Sequence, residues 1–369
     1  RCHRPDRVHR RLSGRLLRVC SLVRAGGNMM ENSKTERLAY IDVARGFVII
    51  LMLIGHANAP DPLVKAIFGF HMPFFFILSG FLYNKTKWSE LGFKKFTVSK
   101  FKAYIVPYFI LAFFNLLINI PIEQIKGLKG QELFDSTMNH LQWIFYSWGA
   151  IDKMPNCTPL WFLPCIFICC ICFYFLNKIN NTAVQTVICI LSVTLDYILY
   201  LFINIQLPWH INVALIGMTF MFIGLKIKES NLLKNITHGI SFIFSMIALG
   251  ALCIVTNPRV DLCNNTLNNT FLTFTGSITV SVAILFICYK YVNNFKFLAF
   301  LGKNTIIIMA LNYAVNSYSN QIWSNTPVLQ SISYCWWIMT IVDILACSAL
   351  ILLWNALKKG FPVLRSLHI

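Results

Sequence analysis

The sequence has few charged residues. Only 12% of its 369 residues are Asp, Glu, Lys or Arg, whereas 57% are hydrophobic and 14% are aromatic. An ordinary soluble domain has about a quarter of its residues charged. This shortage excludes that class and indicates a protein whose main solvent is lipid.

Of the charged residues, the acidic ones are scarcer than the basic ones. The chain has 14 of them against 32 Lys and Arg, a net charge of +18. Such an excess is also typical of nucleic-acid-binding proteins, but here the basic residues stand in short clusters between apolar runs, which is how orientation in a membrane is set. We therefore expect a lipid bilayer and no nucleic acid as partner.

The sequence has no cysteines that stand beside histidines at the spacing of metal ligands. Several of the 13 cysteines, such as Cys165, Cys169 and Cys170, fall inside apolar runs. This pattern favours helix packing and predicts no metal.

Residues 1–28 differ from the rest of the chain, with eight arginines and one aspartate. We interpret them as a leader that is not native or is translated from upstream, with Met29 or Met30 as the natural start. An organellar transit peptide is the alternative. Residues 29–369 are expected to form a single membrane-embedded domain.

Ten apolar runs are long enough to cross a bilayer, which takes roughly 20 residues of helix. They lie near 41–59, 67–83, 103–120, 160–177, 184–203, 209–227, 239–257, 271–292, 298–318 and 332–356. The prediction is an all-α polytopic membrane protein of about ten transmembrane helices. Lysines concentrate in alternate connections, which predicts both ends in the cytoplasm. Segment 141–150 is too short to span and is expected to lie in the interface or to form a lid.

The first run places Asp42, Arg45 and His56 in or next to the membrane, where ionisable groups are costly and indicate function. Arg45 and His56 are eleven residues apart, so they project from one helix face roughly 16 Å apart along the axis. Taken alone, each residue is as consistent with a structural role as with a functional one, since Arg45 could snorkel to the inner headgroups and His56 could cap a neighbouring helix.

The second run carries His71 and Ser79. His71 is expected to share a cavity with His56, whereas the Ser79–Gly80 pair is more typical of close helix packing. The basic connection that follows holds Lys94, Lys95, Lys100 and Lys102. It either sets orientation and meets anionic lipid, or binds the phosphates of a nucleotide-like donor.

Several motifs stand in a specific order and spacing: Arg45 with His56, FILSG at 76–80, the basic run leading into IVPYF at 105–109, TPLWFLP at 158–164, LPWHINVALIGMTFMFIG at 207–224 and FLGKNTIIIMALNY at 300–313. Together they resemble the acyltransferase 3 family. The later segments are similar to fucose 4-O-acetylase and related membrane O-acetyltransferases. The resemblance implies a ten-helix enzyme of the bacterial inner (plasma) membrane. Such an enzyme moves an acetyl group from cytoplasmic acetyl-CoA to a hydroxyl of a cell-surface or lipid-linked sugar, with acetyl-CoA as co-substrate.

The resemblance also implies residue roles. His56 is expected to be the catalytic base or acyl relay, and Arg45 is expected to orient the donor. The residues expected to bind substrate or donor are Asp42, His71, Ser79, Lys95, Lys100 and Lys102. The family usually has arginines where these lysines stand, and relatives often carry a histidine where this chain has Asn312. Two rival hypotheses remain open: a glycan transporter or flippase, and an acyltransferase that acts on a non-sugar acceptor.

Overall fold

The computed structural model describes residues 39–150, 153–154, 157–202, 206–326 and 335–360. Within these ranges the regular elements are helices, and Asp261 and Thr266 form an isolated β-bridge. The predicted leader, residues 1–28, lies outside the described residues.

Fifteen α-helices follow one another along the described part of the chain. They are α1 Ala39–His56, α2 Asp61–Phe68, α3 His71–Phe81, α4 Lys85–Lys100, α5 Val106–Ile125, α6 Gly130–Tyr146, α7 Phe162–Leu176, α8 Thr182–Phe202, α9 Ile211–Glu229, α10 Leu232–Asn235, α11 Gly239–Thr256, α12 Thr270–Lys290, α13 Lys296–Lys303, α14 Thr305–Asn325 and α15 Trp336–Gly360. A π-helical turn, Phe101–Ile105, joins α4 to α5, and short 3-10 turns precede α7 and α9.

The described residues form nine helical stretches long and apolar enough to cross a membrane, or ten with the bent pair α13 and α14. Each coincides with a predicted run, so the all-α polytopic fold is confirmed. Two details differ from the prediction. The basic connection after the second span is itself helical and continues into α5 as one 41-residue stretch, Lys85–Ile125. The predicted run 298–318 is broken by an 83° bend between α13 and α14.

The helices divide into central and peripheral ones. In the stretches Thr158–Leu176 and Pro208–Glu229, which contain α7 and α9, 78% of the 18 most apolar consecutive residues are buried, whereas in α8 and α11 the fraction is 17%. Large apolar side chains such as Phe202 and Phe244 are exposed on the peripheral helices. In a bilayer these side chains contact lipid, which is as apolar as they are.

Glycines allow two close helix crossings that position the site. A Cβ at Gly80 on α3 would overlap the carbonyl of Met221 on α9, and one at Gly302 on α13 would overlap the carbonyl of Asp42 on α1. The first crossing agrees with a packing role for the Ser79–Gly80 pair. The second holds the end of α13 against the start of α1, on what we call the Arg45 side of the bundle.

The opposite side, where α1 ends, is called the His56 side. There α6 packs on the end of α5 through a buried cluster in which Asn119 and Ser136 donate to a Glu123 carboxylate oxygen, at 2.9 and 3.0 Å. His140 lies in the same cluster, with its Nδ1 3.5 Å from that oxygen. Helix α6 does not qualify as a span among the described helices.

The connection between α11 and α12, residues 257–269, is folded over the His56 side. Asp261 and Thr266 exchange backbone hydrogen bonds, and Asn265 donates to the Asp196 carboxylate on α8 at 3.0 Å. The Cys263 thiol donates to the carbonyl of Gly149. These bonds fix the loop, which we call the α11–α12 cap, over the centre of the bundle.

Candidate active site

A cavity of about 730 Å³ lies between α1, α3, the start of α7 and α14. Its wall includes polar residues from both sides of the bundle: Arg45, Ser79, Tyr104, Lys303 and Asn304 towards the Arg45 side, and His56, Asp61, His71, Trp161, Arg259, Asp261 and Tyr313 towards the His56 side. The loop residues Gly149 and Ala150, from the predicted interfacial segment, also line it. One cavity therefore joins two chemically different ends.

The Arg45 end is positively charged. Arg45 Nη1 lies 3.7 Å from Asp42 Oδ1, and the two side chains are 33% and 16% exposed, so this contact leaves most of the guanidinium edge available. Lys303 also lines the cavity. The bend at Asn304 turns the amino terminus of α14 into the same region, where Thr305 and Ile306 form part of the wall. A helix amino terminus adds a partial positive charge and free N–H donors.

The His56 end holds an imidazole that is fixed from one side. The Tyr313 hydroxyl lies 3.3 Å from His56 Nδ1, and the two ring centroids are 5.1 Å apart. Asn316, one turn further along α14, donates to the His56 carbonyl at 3.5 Å and to the Asp343 carboxylate at 3.2 Å. The end of α1 is thus tied to α14 and α15 through polar contacts.

His71 is held in one tautomer. Its Nδ1 lies 3.0 Å from the Ile67 carbonyl, which can only accept, so Nδ1 carries the proton and Nε2 of the neutral ring is left as an acceptor. The Phe68 ring lies between the two histidines, with its centroid 5.7 Å from that of His56 and 4.9 Å from that of His71. The two predicted histidines therefore line one cavity on either side of a phenylalanine.

Other predicted residues lie further from this chemistry. Ser79 is on the wall, but its hydroxyl donates to the Phe75 carbonyl at 2.8 Å. Lys95 and Lys102 are exposed outside the cavity wall, as is Lys94. Lys100 Nζ lies 5.7 Å from the ring of Tyr104, which itself lines the cavity. The donor-binding roles of these lysines stay predictions.

The sequence matches the model of one family. A family model described as an acyltransferase domain matches residues 38–347, which cover every wall residue named above. The chain belongs to the acyltransferase 3 family. This acyltransferase is a multi-pass membrane protein that transfers acyl groups. Comparisons with curated proteins and with solved structures gave no match.

Several polar residues of this cavity wall, Arg259 among them, were missed by sequence reasoning. Lys303, Asn304 and Tyr313 lie in the segment 300–313, which served only for the resemblance. Their polar side chains within an apolar run were the signal available. Arg259 is in a connection, and no local pattern indicates that the α11–α12 cap folds back over the cavity.

Asn312 is a neighbour of this site and not part of its described wall. It is fully buried, and neither atom of its amide forms a hydrogen bond with the described residues. No group of three or more metal-ligating side chains is found in the described ranges. That the enzyme needs no metal stays a prediction.

Proposed function

We propose that this acyltransferase moves an acetyl group from cytoplasmic acetyl-CoA to a hydroxyl of a cell-surface or lipid-linked sugar. The observation that carries the proposal is the single cavity that joins a cationic end to a histidine end. Arg45 and His56 lie on the same face of α1, roughly 16 Å apart along the axis, a length suited to an extended pantetheine arm.

The donor would bind at the Arg45 end. Coenzyme A carries several phosphates, and this end offers a guanidinium, an ammonium and a helix amino terminus, all of which favour anions. The thioester at the tip of the pantetheine arm would then point along the cavity towards His56. Asp42 would hold Arg45 in place through the contact at 3.7 Å.

The transfer is a nucleophilic substitution at the thioester carbonyl. The sugar hydroxyl oxygen forms a bond to the carbonyl carbon while the imidazole of His56 takes the hydroxyl proton. The C–S bond then breaks, and the imidazolium returns the proton to the leaving thiolate, so the products are an acetyl ester and free coenzyme A. General base catalysis of this kind contributes roughly 10² to 10⁴ in rate.

Tyr313 would set the orientation and tautomer of His56. When Nδ1–H of His56 donates to the Tyr313 oxygen, Nε2 carries the lone pair that accepts the proton. His71, whose Nε2 is an acceptor in the same cavity, would receive a hydrogen bond from a second hydroxyl of the sugar and so orient the acceptor.

We further propose that the protein resides in a bacterial inner membrane with both ends in the cytoplasm. The Arg45 side would then face the cytoplasm, where acyl-CoA is made, and the His56 side would face outwards. This arrangement agrees with the lysines of α4 and at the ends of α9 and α12, which lie on the Arg45 side.

Transfer of labelled acetyl from acetyl-CoA tests the proposal. Membranes that contain the wild type are compared with membranes that contain His56→Gln at equal amounts, with a panel of lipid-linked and polymeric sugars as acceptors. We expect a base-labile labelled ester with the wild type and a loss of roughly 10² to 10⁴ with the variant. His238→Gln is the matched control, because His238 is exposed at the start of α11 and away from the cavity wall.

Two results would overturn the proposal. If His56→Gln labels sugars as well as the wild type does, His56 is not the base. If sugars cross the membrane with the wild type but never acquire label, the protein is a glycan transporter. Label in antibiotics or lipids and in no sugar would move the acceptor to the non-sugar class.

A further inference from the structure

Arg259 lies in the wall of the cavity on the His56 side, away from the cations of the donor end. Its guanidinium carbon is 4.4 Å from the centroid of the Phe68 ring. The same ring contacts both His56 and His71. A fixed positive charge therefore borders the place where the acceptor hydroxyl must bind.

The edge of this guanidinium has no protein partner in the described part of the chain. Phe68 covers one face by stacking, but no described side chain or carbonyl accepts a hydrogen bond from it, and no described carboxylate forms an ion pair with it. An arginine has five N–H donors in a fork that matches carboxylate and phosphate oxygens. The donors of Arg259 are thus available to a ligand.

Two carboxylates line the same end, and neither forms an ion pair with Arg259 among the described residues. The Asp261 carboxylate accepts hydrogen bonds from the backbone N–H of Cys263 at 3.0 Å and from the Asn264 amide at 2.9 Å. Asp61 stands in the first turn of α2, where it is exposed and favoured by the helix amino terminus.

The backbone of Arg259 is held in the folded α11–α12 cap. Asn268 donates to its carbonyl at 2.8 Å, and the Asp261–Thr266 bridge closes the loop immediately after it. Asn265 anchors the same loop to α8. The backbone of Arg259 is therefore fixed in the cavity wall, while its side chain is exposed and accessible to a ligand.

We propose that the acceptor carries an anionic group, a carboxylate or a phosphate ester, that binds Arg259 while a nearby hydroxyl reaches His56. This inference rests on the proposed acyl transfer and names the class of its acceptor. Phe68 would pack against the sugar ring between the two polar contacts, since aromatic faces favour apolar C–H surfaces. Arg259 is thereby a specificity residue, whereas His56 is the catalytic one.

The test compares three acceptors that differ in one group: an alkyl glucoside, the matching alkyl glucuronide and the matching 6-phosphate. We measure kcat/KM for each with the wild type, Arg259→Gln and Arg259→Glu, in proteoliposomes. A charged hydrogen bond is worth about 1.5–3 kcal/mol, or roughly 10- to 100-fold. We expect Arg259→Gln to lower kcat/KM for the acidic acceptors by roughly that factor and to leave the glucoside within about 3-fold. Arg259→Glu should discriminate further against the acids.

Lys126→Gln is the matched control. It removes a positive charge on the same side of the bundle, from an exposed position after α5 that is not part of the cavity wall. It should change none of the three values. If Arg259→Gln lowers kcat/KM more for the glucuronide than for the 6-phosphate, the site prefers a carboxylate. The opposite order indicates a phosphate.

The inference is overturned if the wild type shows no preference for either acid, or if Arg259→Gln lowers all three values alike. Calorimetric binding of the three acceptors to His56→Gln protein needs no turnover. If the acids bind, Arg259→Gln abolishes that binding and the wild type transfers no acyl group, the proposed function is refuted, and with it the acceptor, while Arg259 remains an anion-binding residue. If the wild type transfers the acyl group without a preference for the acids, the proposed function stands and the inference about Arg259 is refuted.

Discussion

At the scale of single residues, the catalytic prediction concerns Tyr313. Its hydroxyl lies 3.3 Å from His56 Nδ1, and its ring packs against the imidazole. Tyr313→Phe keeps the ring and removes only the hydroxyl. Because a neutral hydrogen bond is worth about 1 kcal/mol, we expect kcat to fall roughly 5- to 10-fold.

A positioning role makes a specific kinetic prediction. The KM values for acetyl-CoA and sugar should stay unchanged in Tyr313→Phe, while the pH profile of kcat/KM shifts because the tautomer and basicity of His56 change. Tyr318→Phe, on the same helix and 39% exposed, is the control. If both KM values rise and the pH profile is unmoved, Tyr313 serves only packing.

At the scale of helices, the contact between α5 and α6 predicts pH-dependent stability. Burial lowers the pKa of His140 below its ordinary value of 6.5, and the Glu123 carboxylate opposes this shift only in part. Above that value the imidazole is neutral in both the folded and the unfolded state. As the pH falls below it, the unfolded state binds the proton first, so the free energy of unfolding falls.

The melting temperature of the purified protein at pH 7.5 and at pH 5 measures this effect. We expect a loss of a few degrees on acidification in the wild type and a smaller loss in His140→Gln, which cannot bind the proton. Carboxylates elsewhere titrate equally in both proteins, so the difference between them isolates His140. Equal losses in the two proteins would contradict the assignment.

Length and hydropathy were sufficient to predict the spans, because a span needs roughly 20 consecutive apolar residues and this is readable along the chain. The bend between α13 and α14 was not readable in the same way. Gly302 and Asn304 disfavour helix there, but the structure combines the 83° bend with a close crossing of Gly302 and the Asp42 backbone. Such a contact between distant segments has no local signal.

The residues of the candidate site also differ in how far the sequence predicts their positions. That Arg45 and His56 line one cavity could be predicted, because ionisable groups in an apolar run are costly and these two share one helix face, while their roles stay predictions. Arg259 was not, since its place depends on the bond between Asn265 and Asp196, which are 69 residues apart. The exposed Lys95 and Lys102 were selected from charge alone, and charge does not reveal which helix face meets the cavity.

At the scale of the whole molecule, the two unlike ends of the cavity predict a sided reaction. The donor should enter only from the Arg45 side. In membrane vesicles sorted by orientation, added acetyl-CoA cannot cross the bilayer because of its phosphates. We expect label only in vesicles that expose the Arg45 side, and the lysine-rich helix ends predict that these are the inside-out ones.

The variant Lys303→Gln tests whether the phosphates of the donor bind at the cationic end of the cavity. In inside-out vesicles it should raise KM for acetyl-CoA roughly 5- to 10-fold, in line with about 1–1.4 kcal/mol from one partly solvated charge contact. KM for acetyl-pantetheine, which has the thioester but lacks the nucleotide phosphates, should not change. Lys178→Gln, exposed after α7 and outside the cavity wall, is the control and should leave both values unchanged. If Lys95→Gln and Lys102→Gln raise KM for acetyl-CoA and Lys303→Gln does not, the donor phosphates bind along α4 and the π-turn, and the cavity end beside Arg45 serves another purpose.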